Sequence, residues 1–287
     1  MSERTRRRVA RGASLSLLLV IVGLLLWASS FRLGGGSWER VQTPSMGTTA
    51  PVGSLLWLQP VPFETLDVGD FISFREPDRP SVSYSHRIIA IEPDGSLRTQ
   101  GELSGADPWS LGAGDVLGEV VRVTQGVGWL AQAAPILAVG GVLTWGATLL
   151  ARRPARVSLA VIGASFTLTA AIVVLQPLTG VQQLGSAPLQ DGRATSSYVS
   201  TGLLPIRVGE PGGETVVLSA GQDGSVTTSR VDPQGRLAVE VVPAVPRWFS
   251  WLLALACFLP ALWSTVVGAP ARSQPPTTSQ EAGSLLS

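Results

Sequence analysis

Four uncharged apolar runs divide the chain, at 13–31, 128–150, 157–178 and 248–267. Each is close to the roughly 20 residues that a helix needs to cross a bilayer. Pro135 and Pro260 fall inside runs, where neighbouring helices compensate for a lost hydrogen bond. Between the runs the pattern changes. Short β-like stretches occur at 55–58, 71–75, 82–91, 97–100 and 116–124, separated by Pro, Gly and Asp turns such as Pro93-Asp94-Gly95. A second set, at 215–218, 221–229 and 237–242, is joined by Gln222-Asp223-Gly224 and Pro233-Gln234-Gly235, which read as hairpin turns. Gly34-Gly35-Gly36 reads as a short flexible exit from the first run.

This pattern predicts a membrane protein with four transmembrane helices and two small β-rich regions, 32–127 and 179–247. The first run follows five arginines and reads as an uncleaved anchor, because Trp27-Ala28-Ser29-Ser30 is a poor cleavage site. Composition agrees: 14% of residues are charged, against about 25% in soluble domains. Every one of the 21 basic residues is arginine. With residues 1–12, 151–156 and 268–287 placed inside, the cytoplasmic segments carry nine arginines and two acids. The two β-rich regions then lie outside, with twelve arginines and eighteen acids. That bias sets the orientation and predicts a multi-pass protein of the cell membrane. The Pro/Ser/Thr-rich tail, 268–287, reads as disordered.

The net charge of +1 gives no basis for nucleic-acid binding. One cysteine, Cys257, excludes an internal disulfide. One histidine and one cysteine cannot build an ordinary transition-metal site, so no metal or cofactor is expected.

The candidate chemistry lies in 32–127. Three segments stand out in order: Thr43-Pro44-Ser45-Met46, then Val68-Gly69-Asp70, then Ser85-His86-Arg87, followed by Gly101-Glu102 and Asp107. A serine hydroxyl becomes a useful nucleophile only when a base removes its proton. No lysine exists to do so, and a serine–histidine enzyme must use His86. Imidazole titrates near neutrality and suits the task. A carboxylate would orient the ring, and both Glu102 and Asp107 are close enough in sequence. Asp70, at a strand start, reads as structural.

Together these segments resemble signal peptidase I of the endoplasmic-reticulum type, a subfamily that also occurs in bacteria and archaea. The likeness covers roughly residues 10–150: a Ser-Met pair after the first anchor, a Val-Gly-Asp segment, a His-Arg pair and a downstream Asp. It implies a mostly-β catalytic domain with Ser45 as nucleophile, His86 as general base and Asp107 as the acidic member, with Glu102 the alternative. It also implies that Thr43 and the Ser45 N–H bind the oxyanion. The sequence departs from the family where Pro44 replaces glycine, Thr48 replaces proline, and Asp107 comes one residue early.

The expected function is a membrane-bound serine endopeptidase that removes signal peptides from secreted precursors. Its partners would be those precursors and the lipid bilayer, with an unknown partner for 179–247. The competing expectation is an inactive signal-peptidase-like scaffold or assembly factor acting through 179–247.

Overall fold

The computed structural model describes residues 25–188, 193–228 and 238–246, with isolated positions from 16 to 23 and from 248 to 255. The N-terminal segment 1–12, most of the expected fourth span, Cys257, the Pro233 turn and the 268–287 tail lie outside the described residues. Helix α1 is helical at every described position from 16 to 33. Its end corrects the flexible reading of the glycines. The Gly36 N–H donates to the Phe31 carbonyl and the Gly35 N–H to that of Arg32. Gly35 has φ +86°. This is a Schellman cap, which needs a left-handed residue.

The first β region is a six-stranded antiparallel sheet in the order β1-β2-β6-β3-β4-β5. Its strands are β1 (Ser37–Arg40), β2 (Leu55–Gln59), β3 (Phe71–Glu76), β4 (Arg79–Ile91), β5 (Leu97–Gln100) and β6 (Val116–Thr124). The alternating runs of the sequence account for five of them, and β1 is additional. Two apolar clusters fill the sheet, one around Ile72, Phe74 and Ile88, the other around Met46, Leu56 and Leu58. The expected turn at Pro93-Asp94-Gly95 forms, with Gly95 at φ +83°. There the Ser96 N–H and hydroxyl donate to Asp94 and lower its carboxyl pKa.

The sheet curls. Glu39 on β1 accepts hydrogen bonds from the hydroxyls of Ser73 on β3 and Ser83 on β4. This crossing joins strands that are not neighbours in the sheet. Beside it, β4 has an open edge: β5 pairs with it only from Arg87 to Ile91, and among the described residues no strand pairs with 81–85 on that side.

The second β region holds two three-stranded antiparallel sheets, β11-β8-β7 and β10-β9-β12. Its strands are β7 (Val181–Pro188), β8 (Ala194–Ser200), β9 (Ile206–Gly209), β10 (Thr215–Leu218), β11 (Asp223–Thr228) and β12 (Glu240–Pro243). The core between them contains Tyr198, Ile206, Val208, Leu218 and Val226. Asp223 and Gly224, expected in a turn, instead begin β11 and pair with Val199 and Tyr198. The turn lies one step earlier, where Gly221 takes φ +73° and the Gln222 N–H donates to the Ser219 carbonyl. Both β regions belong to one compact unit.

Helices α2 (Val127–Leu150) and α3 (Arg156–Leu175) are long and apolar enough to cross a membrane. Only 6% of the most apolar window of each is buried, and Leu143, Phe166 and Val174 are among the exposed side chains. α3 ends three residues before the expected Leu178. Pro177 disfavours helical backbone at the residue before it, and Gln176 takes φ +50°. The two helices approach at reciprocal Gly–Thr pairs. A Cβ on Gly140 would lie 2.2 Å from Thr167, and one on Gly163 would lie 2.4 Å from Thr144. Small residues of this kind permit close packing where no hydrophobic drive exists between helices.

Candidate active site

Ser45 sits in a short 3-10 turn, Pro44–Met46, immediately after an extended segment. Pro44 suits the first helical position, where no N–H is needed. It also disfavours helical backbone at Thr43, whose φ and ψ are −122° and 153°. The turn closes through the Gly47 N–H onto the Pro44 carbonyl. Met46 anchors it in the core at 1% exposure, which leaves the half-buried Ser45 hydroxyl facing β4.

His86 lies on β4 opposite Ile72. Period-two alternation puts Tyr84, His86 and Ile88 on one face. The ring is 3% exposed and packs beside Phe74 and Tyr84, with ring centroids at 6.0 and 5.8 Å. Its Nε2 lies 3.0 Å from the Ser45 Oγ, and its Nδ1 lies 2.7 Å from the Asp107 Oδ2. A carboxylate only accepts hydrogen bonds. The proton therefore belongs on Nδ1, and Nε2 is free to accept from serine.

Asp107 reaches the ring because β5 leads into a tight loop. The Asp107 N–H donates to the Thr99 carbonyl, and Ala106 pairs with Gln100. Residue 107 is thereby returned beside residue 99. The Thr99 hydroxyl donates to the same Oδ2 at 2.6 Å. Thr99 is fully buried, and its place on the inward face of β5, alternate to Leu97, is the only sequence signal for it. Gly101 has another role that sequence reasoning missed. A Cβ there would lie 2.9 Å from the Ser45 carbonyl oxygen and 3.0 Å from the His86 Nε2. A side chain there would push against both Ser45 and His86.

Glu102 does not meet His86. It accepts from the Thr49 hydroxyl at 2.8 Å and from the Arg87 Nε at 3.2 Å. Arg87 also lies over the Phe71 ring at 5.6 Å. This is a partly exposed ion pair of the kind that contributes little. In a peptide-cleavage assay, Glu102→Gln is expected to change kcat/KM by less than about threefold; a loss approaching that of Asp107→Asn would return Glu102 to the acidic role. Asp70 closes a turn by accepting from the Asp67 N–H, in keeping with a structural role. Thr43 is exposed, with its side chain making no cap hydrogen bond.

A cavity of about 320 Å³ opens beside Ser45. Residues 39–43 with Ser45 and Met46 form one wall, and 81–85 form the other. The second β region touches the far side of the loop that carries Ser45. A Cβ on Gly221 would lie 2.2 Å from the Gly47 carbonyl oxygen. Among the described residues no group of three or more His, Cys, Asp or Glu side chains could hold a metal.

No family model matches the chain, and none of the curated proteins compared with it is similar.

Proposed function

We propose that the chain is a membrane-bound serine endopeptidase of the signal peptidase type, cutting secreted precursors. The observation that carries this reading is the aligned set Ser45, His86 and Asp107, with separations of 3.0 and 2.7 Å. Such spacing is what nucleophile, base and orienting carboxylate require. His86 takes the serine proton, Ser45 attacks the peptide carbonyl, and the imidazolium then protonates the leaving amine. Water, activated by the same imidazole, releases the acyl group.

The open 81–85 edge of β4 offers backbone hydrogen-bonding groups to an extended peptide, the usual way a strand edge reads a segment. The Thr43 hydroxyl and the Ser45 N–H are the oxyanion donors in this scheme. Thr43→Val is expected to lower kcat by about 10²-fold with a smaller change in KM. An unchanged kcat in steady-state assays would remove Thr43 from that role.

Four spans, with both β regions outside, complete the proposal. Two helices long and apolar enough to cross a membrane lie between the β regions, and both β regions lie in one compact unit; two crossings would return the chain to its starting side. The arginines at 152, 153 and 156 mark the opposite, cytoplasmic side. The test is cleavage of a secreted precursor by the full-length protein in vesicles, compared with Ser45→Ala and His86→Ala. Equal processing by all three would overturn the endopeptidase reading and favour a scaffold working through 179–247.

A further inference from the structure

We propose that Glu39 recognises a basic side chain of the substrate peptide, placed a few residues before the bond that Ser45 attacks. This rests on the endopeptidase reading of the same site.

Glu39 lies on β1, where alternation sends it to the face opposite Trp38 and Arg40. Both neighbours also pack against other elements. Trp38 packs with Phe31 and Trp57 in an aromatic cluster. The Arg40 side chain lies against Gly128, with its Cγ 2.8 Å from where a Cβ would sit. Burial there lowers the Arg40 pKa. Glu39 lines the cavity that also holds Ser45. Arg40 lines it too, but among the described residues it forms no ion pair with Glu39.

The carboxylate is held in place. Ser73 donates to one oxygen and Ser83 to the other. Ser85 donates in turn to the Ser73 hydroxyl at 3.2 Å. Ser73 is fully buried, so this support lies behind the cavity wall. Neutral hydroxyls orient a carboxylate without cancelling its charge. Among the described residues no arginine forms an ion pair with Glu39. An ionised carboxylate has about four acceptor positions, and the serines use two. Glu39 lines a cavity of about 320 Å³, which has room for a side chain. A lysine or arginine would supply both the missing donors and the missing charge.

The spacing bounds the position. β1 ends at Arg40 and Thr43 has extended backbone, so the four residues from Glu39 to Thr43 span at most about 13 Å at roughly 3.3 Å per residue. A peptide lying along it would present its third to fifth residue before the scissile bond to Glu39.

The test uses full-length protein in vesicles and peptides with an alanine-rich cleavage region. Arginine, alanine or glutamate is placed at each of the second to sixth positions before the scissile bond, and kcat/KM is measured for each. At one position arginine is expected to exceed alanine by about tenfold, with glutamate below both. In Glu39→Gln the arginine-to-alanine ratio falls toward one, and in Glu39→Arg glutamate becomes the preferred residue. Ser83→Ala keeps the charge but loosens its support, so the preference shrinks without changing sign. Equal rates for the three residues at every position in the wild type overturn the proposal, as does a preference that survives Glu39→Gln. Cleavage that persists in Ser45→Ala overturns the endopeptidase reading itself, and the proposal with it.

Discussion

Ser45→Ala is expected to lower kcat for precursor cleavage by about four to six orders of magnitude, or about 5–8 kcal/mol of transition-state stabilisation. His86→Ala is expected to do the same, and the double variant to be little worse than either. The reason is the 3.0 Å contact between Nε2 and Oγ. Without the imidazole the hydroxyl keeps its proton, and without the hydroxyl the imidazole has nothing to deprotonate. Two residues that act on one proton lose their effect together, so their losses do not add. The His86 assignment is unusually exposed to refutation, because no lysine and no second histidine can substitute for it. Single-turnover cleavage at saturating precursor is the measurement. Additive losses would mean that the two side chains act independently.

Asp107→Asn is the second large effect. The Asp107 Oδ2 accepts from both the His86 Nδ1 and the Thr99 hydroxyl. An asparagine amide keeps the shape but can turn its NH2 group toward Nδ1. The ring then places its proton on Nε2, facing Ser45, and can no longer accept the serine proton. A loss of about 10³–10⁴ in kcat is expected, with KM little changed. Thermal unfolding should stay close to that of the wild type, because the side-chain volume is preserved. A kcat within tenfold of wild type would show that the ring needs no carboxylate.

The parts of this site differ in how readable they were. The β3 and β4 runs alternate or are continuously apolar, so their strands could be placed, and His86 could be put on β4. The pairing of Ser45 with His86 rested on residue types and their order. The choice between Glu102 and Asp107 did not follow from spacing, since both lie in the short loop after β5. It depends on the Gln100–Ala106 bridge, which folds residue 107 back to residue 99 and turns residue 102 toward Arg87. Strand β1 escaped notice because Ser-Trp-Glu-Arg has one apolar residue and no alternation. Its position comes from pairing with β2 and from the long-range Glu39 contacts. Asp223-Gly224 looked like a turn by local preference, yet cross-strand pairing with β8 took those residues into β11. Local chemistry predicts a turn well only when tertiary pairing does not compete for the same backbone.

The single imidazole of the chain, held between Asp107 and Ser45, also makes the molecule its own spectroscopic reporter. Selective isotopic labelling of histidine would yield one ring signal with no assignment problem, from the atoms that would move the proton. Peptide binding, acylation of Ser45 and any change at Asp107 or Thr99 would be read from that one resonance, in a protein whose long apolar helices otherwise crowd the spectrum.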